Sequence, residues 1–269
     1  MSRVGLCALG TLLTVSLLVL IGPLIWTIAP EVTEPARSLA NPSATHPLGS
    51  DELGRDVLSR LLHGGQVTLL VGVAATLTAL GVGVFVGVVA GFYGGWLDAL
   101  LMRATDALMA VPGFFLVLVV ITVFGSGPVV LILVIGSLSW MPVARVVYGE
   151  TLRWKTAEFV VAAASLGVPI ARLLARHVLP QVVPSLVVSA TLGVAYAILT
   201  ESAVSYLGLG VQPPMPSWGN MLQRAQQYVF VSPALALYPG IAIMVVVLAF
   251  NFLGDGLRDA LDPRSRHRT

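Results

Sequence analysis

Few residues in this chain are of a type and spacing that could do bond chemistry. Glu201, Ser202 and Ser205 offer a carboxylate and hydroxyls within one helical turn, the raw material of a base and a nucleophile. A hydrolytic site needs such groups at one depth together with an orienting partner. Here no histidine falls inside an apolar run, and Asp106 and Glu201 fall in opposite membrane halves. His46, His63, His177 and His267 lie in separate polar segments, two assigned outside and two inside, so they cannot all form one metal site. Cys7 is the single cysteine, which excludes an intrachain disulfide and a cysteine-based zinc cluster; in its apolar run it reads as a small packing residue. The only lysine, Lys155, follows Trp154, so no Gly-Lys-Ser/Thr exists and the chain is not a P-loop ATPase. Any ATP that its work needs is hydrolysed elsewhere.

The elements that carry these residues are apolar. Of 269 residues, 57% are hydrophobic and 10% charged, and the mean hydropathy is +0.91. Too few polar side chains remain to cover a soluble domain, and the net charge of +2 gives no footing for nucleic acid. The composition predicts an all-α polytopic membrane protein. Six segments meet or approach the roughly 20 apolar residues that cross a bilayer: 4–28, 67–91, 104–124, 129–148, 182–206 and 234–253. The third carries Asp106 and Pro112 near its start. The first is too long for the apolar core of a signal peptide and reads as an uncleaved span.

The basic residues set the orientation. With the N-terminus inside, the inner face holds Arg3, Arg103, Arg145, Arg153, Lys155, Arg172, Arg176, Arg258, Arg264, Arg266 and Arg268. The outer face holds only Arg37, Arg55, Arg60 and Arg224. Six spans then place both termini in the cytoplasm. Gly83, Gly87 and Gly91 share one face of the second span, where they predict close packing of another helix.

Three segments lie outside the lipid. In 29–66, four prolines precede a stretch, 50–62, that reads as a short amphipathic helix capped by Ser50 and ended by Gly64-Gly65. In 207–233, glycines and prolines impose an extended path, and Trp218 suits the interface or a re-entrant turn. The inner loop 149–181 is longer than a connection requires. Its apolar positions suit one or two helices broken at Gly167-Val168-Pro169, a docking surface for another protein.

Here the sequence resembles the permease subunits of ABC importers, in the dipeptide/oligopeptide/nickel group. Their inner loop carries Glu-Ala-Ala, a Gly four residues after the second Ala, then Ile-x-Leu-Pro. This chain has Val161-Ala162-Ala163, Gly167 and His177-Val178-Leu179-Pro180. Val161 stands in place of the Glu, and Glu158 lies one helical turn earlier; His177 stands in place of the Ile, as in the peptide group's Arg-His-Ile-Leu-Pro. Two further stretches are similar to that group: His46-Pro47-Leu48-Gly49-Ser50-Asp51-Glu52-Leu53-Gly54-Arg55-Asp56, and Glu201–Pro214 continuing to Pro216-Ser217-Trp218-Gly219-Asn220. The combination looks like the second, C-type (DppC/OppC-like) permease of a pair.

The resemblance implies a MetI-like type I importer permease fold with six transmembrane helices and both termini cytoplasmic. It implies an ATPase-coupling loop drawn from Glu158, Ala162, Ala163, Gly167, Arg172, His177, Leu179 and Pro180, with Leu179-Pro180 closing the loop before the fifth span. It implies a second homologous permease, two P-loop ATPases that bind ATP and Mg, an extracytoplasmic substrate-binding protein, and import of peptides through a multi-pass cell-membrane subunit that is itself no enzyme. No cofactor, metal or nucleic acid is expected in this chain. Glu201 and Ser205 are candidates for the translocation path or an intersubunit contact, while Asp98 and Asp106 are expected to pair with Arg103. The organisation expected is a first helix and outer segment (1–66), a five-helix core (67–253) and a basic tail against anionic lipid (254–269). A nickel importer shares the motifs. An ion-driven secondary transporter would show paired repeats and more intramembrane charge, and no repeat is found.

Overall fold

The computed structural model describes residues 3–261, which are helical apart from their connections. The helices are α1 (Arg3–Ile25), α2 (Val57–Tyr93), α3 (Gly95–Met109), α4 (Gly113–Phe124), α5 (Pro128–Leu138), α6 (Trp140–Lys155), α7 (Glu158–Ser165), α8 (Ile170–Leu173), α9 (Leu179–Tyr206), α10 (Trp218–Ala225) and α11 (Ala234–Leu261). Five stretches are long and apolar enough to cross a membrane: α1, α2, Pro128–Lys155, Ile170–Tyr206 and α11.

The expected third span is corrected to a broken one. α3 and α4 meet at an 85° bend, where Pro112 lacks the N–H that would continue a helix. The pair still carries the chain back across the bundle, as the register of α2 and α6 requires. A Cβ on Gly83 would lie 2.8 Å from the Trp140 carbonyl oxygen, on Gly87 2.6 Å from that of Ala144, and on Gly91 3.1 Å from that of Tyr148. Residue numbers rise together, so α2 and α6 run parallel and residues 94–127 return from one end of the bundle to the other. The three glycines do what their spacing predicts: they let two backbones touch. At the end of this seam Lys155 Nζ donates to the Gly91 carbonyl at 2.7 Å, so the only lysine covers the last turn of α2.

The remaining pairings are antiparallel. Thr68, Gly72 and Thr76 of α2 meet Glu201, Ile198 and Gly193 of α9 in falling order. Gly65 meets Val19 and Leu62 meets Gly22, so α1 runs against α2. α11 passes from Leu235 beside the α10 cluster to Gly254 beside Thr191. The start of α1 and the end of α11 therefore share one end of the bundle.

Several local expectations are corrected. The outer stretch 50–62 is not a separate helix. Asp56, not Ser50, is the cap: its Oδ1 accepts from Ser59 N at 2.7 Å and Trp26 Nε1 at 2.9 Å. α2 then runs through Gly64-Gly65 unbroken, because Gly64 abuts the Ser217 backbone and Gly65 abuts Val19 and Trp218. Leu179-Pro180 does not end a loop. The chain is helical from Ile170 to Tyr206, with a π-helical turn at Leu174–Val178 directly before Pro180, where the irregular turn interrupts the regular i to i−4 bonding that the proline ring and missing N–H would break. α11 continues past residue 253 to Leu261, and the basic run at Arg264–Arg268, with His267, lies outside the described residues. Cys7 is on the exposed face of α1 rather than packed.

Candidate functional site: an exposed short helix and a buried carboxylate network

At the end of the bundle shared by the start of α1 and the end of α11, the loop 149–181 folds as a short helix set off from the spans. α7 packs against α6 and α8. Val160 anchors it, buried with Leu173, Val178 and Val182 in an apolar cluster that α6 and α9 share. Gly167 adopts φ +78° and lets the chain reverse after α7, a conformation that side chains strain to reach. The other face of the loop is bare. Phe159, Val161 and Ile170 are about half exposed, and Leu166 is 85% exposed. Glu158, Ala162 and Arg172 are exposed, Ala163 is half-buried, and Leu179 and Pro180 begin α9. His177 lies in the π-helical turn, and its Nδ1 is buried without a hydrogen-bond partner among the described residues. Exposed apolar side chains on a short helix and its C-cap suit entry into another protein's groove. Phe159 and Leu166 lie on one side of α7, and Val161 projects from another.

Sequence reasoning passed over the residues beneath α7. The Trp154 ring lies 6.2 Å from the Phe159 ring, and its Nε1 donates to Glu150 Oε2 at 3.0 Å. Glu150 Oε1 accepts from Ser185 Oγ of α9, also at 3.0 Å. Their i,i+4 spacing was the one available signal for the Glu150–Trp154 bond; Ser185 had none.

Toward the opposite end of the bundle, Glu201 is fully buried within the chain. Its carboxylate accepts from Ser205 Oγ at 2.7 Å, Thr68 Oγ1 at 3.1 Å and Ser202 Oγ at 3.3 Å. No arginine reaches it among the described residues. Ser205 Oγ in turn accepts from Val211 N, and Thr68 Oγ1 from Trp218 N at 3.2 Å. Trp218 is buried, not at a lipid interface, and its Nε1 donates to the Leu61 carbonyl at 2.9 Å. Ser217 and Asn220 cap α10 reciprocally, and Asn220 Nδ2 also donates to the carbonyls of Val211 and Met215. The network folds 207–217 back and pins α10 onto α2 and α9. Glu201 and Ser205 thus lie together, as spaced, in the interior of the fold.

Beside it, Asp51, Glu52, Arg55, Arg60 and Arg224 form a charge cluster. Arg55 Nε meets Asp51 at 2.7 Å and its other nitrogen meets Glu52 at 3.0 Å, while Arg224 reaches Glu52 at 3.4 Å. Hydrogen bonds satisfy these buried charges where they leave water. His46 meets Asp56 at 2.7 Å. The expected pairing with Arg103 is corrected: Asp106 pairs with Arg145 of α6, and Asp98 accepts from Tyr148 at 3.0 Å. Both partners come from the neighbouring helix, because a helix that lies against α6 presents its acids there. Among the described residues no group of three or more His, Cys, Asp or Glu could hold a metal.

Comparison with known proteins agrees with this architecture. Residues 83–267 match the family described as the binding-protein-dependent transport system inner membrane component. The chain is 43% identical over 223 residues to the glutathione transport system permease protein GsiD of Pectobacterium atrosepticum, covering 83% of this chain and 74% of that one. It is 37% identical over 250 residues to the dipeptide transport system permease protein DppC of Alkalihalophilus pseudofirmus, covering 93% and 82%. Its fold is similar to a chain of the inward-facing MetNI methionine ABC transporter, with a TM-score of 0.60 at 17% identity over 75% of this chain and 96% of that one.

Proposed function

From its membership in the family of binding-protein-dependent transport system inner membrane components, as a multi-pass ABC importer permease of the C-type and not an enzyme, we propose that this chain forms half of a peptide translocation path and receives its driving force through α7. The observation that carries the coupling role is the exposure of the apolar Phe159, Val161 and C-cap Leu166 around a short helix anchored by one buried residue, Val160. Such an exposed apolar element fits a groove on an ATPase. Glu158 and Arg172, both exposed, would set register, with Ala162 and Ala163 allowing close approach. ATP and Mg would be held by the two ATPases. A second permease would supply the other half of the path, and an extracytoplasmic binding protein would deliver substrate.

The excess of basic residues at the end of the bundle that carries α7 supports a cytoplasmic placement for that end, and with it both termini. Relatives that move glutathione and dipeptides support a short peptide as cargo. The test is uptake by vesicles holding the whole transporter and its binding protein. Labelled glutathione, a dipeptide and nickel ion are offered in turn. ATP-dependent uptake of either peptide and not of nickel is expected. Uptake of nickel alone would overturn the peptide reading and leave the permease assignment intact.

A further inference from the structure

We infer that Trp154, Glu150 and Ser185 form a clamp that makes the docking helix α7 and the long helix α9 move as one body. The inference rests on the docking role proposed for α7.

α7 is joined to α6 by a two-residue turn, Thr156-Ala157, and to α8 across Gly167. Apolar contact through Val160 holds α7 in place but sets no unique register, since such packing is non-directional. The polar chain above it is directional. The indole touches Phe159 of α7 with its ring and Glu150 of α6 with its N–H. The carboxylate uses one oxygen for α6 and the other for Ser185 of α9. One ring and one carboxylate therefore tie together three elements, and both carboxylate oxygens are taken. Arg153 lies 5.0 Å from the Trp154 ring centroid and 3.9 Å from Glu150, which adds a cation to the same stack. A force on Phe159 then reaches α9 without passing through a loop. These are positioning residues, and they touch no substrate.

The clamp is testable in the complete complex with its ATPases, in a Cys7→Ser background. Nitroxide labels at Ser165→Cys on α7 and Leu192→Cys on α9, both exposed positions, report the distance between the two helices by pulsed electron paramagnetic resonance. With the clamp intact, that distance is expected to be the same without nucleotide and after trapping with ATP, Mg and vanadate. Trp154→Phe keeps a ring on Phe159 but loses the donor. Ser185→Ala removes one oxygen and carries the test if the tryptophan variant does not fold. Each is expected to let the distance shift or broaden by about 5 Å on trapping, the scale of a one-turn slip. Ser185→Thr, which keeps the hydroxyl, is expected to restore the fixed distance. A distance unchanged in both variants, or one that changes equally with the clamp intact, would overturn the inference. Loss of the ATPases from the otherwise intact parent complex would instead overturn the docking role, and the clamp with it.

Discussion

Thr68 Oγ1 donates to Glu201 Oε2 at 3.1 Å across 133 residues of chain, and the same Thr68 oxygen accepts from Trp218 N. The bond places a buried carboxylate at the crossing of α2, α9 and the folded-back outer segment. Replacement of Glu201 by Ala would leave three hydroxyls without their shared acceptor. A loss of about 2–4 kcal/mol is expected. Glu201→Gln, which keeps one acceptor oxygen, should lose less. Unfolding in mixed detergent checks both, and proteolysis near Met215 should accelerate in the Ala variant if the outer segment is released.

Helix contact at the glycine seam predicts a sharp contrast between neighbouring glycines. Gly87→Leu would drive a side chain into the Ala144 carbonyl and Val147, and backbone cannot move aside cheaply. It is expected to cost at least about 3 kcal/mol. Gly81, six residues away on the open face, has nothing within 4 Å. Gly81→Ala is expected to be neutral or to stabilise by up to about 1 kcal/mol. The yield of folded protein and the unfolding midpoint of the two variants check the pair.

Topology gives a third prediction. In a Cys7→Ser chain, a cysteine at Thr45 should react with a membrane-impermeant maleimide in spheroplasts, and one at Ser165 should react only in inside-out vesicles. Both positions are exposed. Reaction of both from the same side would contradict the return of the chain through α3 and α4.

Much of this was legible because the signals are local. The spacing of Gly83, Gly87 and Gly91 marks one helix face whatever lies opposite, and Gly167 marks a turn by its own φ. The break of the third span was flagged by Pro112, although its angle was not. Errors arose where distant partners decide. Gly64-Gly65 reads as a helix stop, yet Trp218 and Ser217, about 150 residues later, fill the space that a side chain would take. Ser50 and Asp56 are both good caps by type, and only the contacts of Asp56 with Trp26 and His46 select between them. The hydroxyl partners of Glu201 come partly from α2, and Ser185 gives no hint that it answers Glu150. A pattern along one helix could be read from the residues; a bond between two helices could not.

The docking role proposed for α7 yields a graded prediction. Leu166→Ala removes the most exposed apolar side chain of the inner loop, and a drop of about tenfold in ATPase affinity is expected if it enters a groove. Leu13→Ala, an exposed change on α1, should leave that affinity unaltered. Titration of purified ATPase onto nanodisc-held permease pair checks both.

The most direct measurement is cross-linking from the docking helix. A cysteine at Ala163 in the Cys7→Ser chain, treated with a short bifunctional reagent in native membranes, should capture a P-loop ATPase identifiable by mass spectrometry. The yield should fall when Leu166→Glu is added. Recovery of the full complex with no ATPase joined to position 163, nor to any exposed position of 158–166, would contradict the assignment of α7 as the element through which ATP drives this permease.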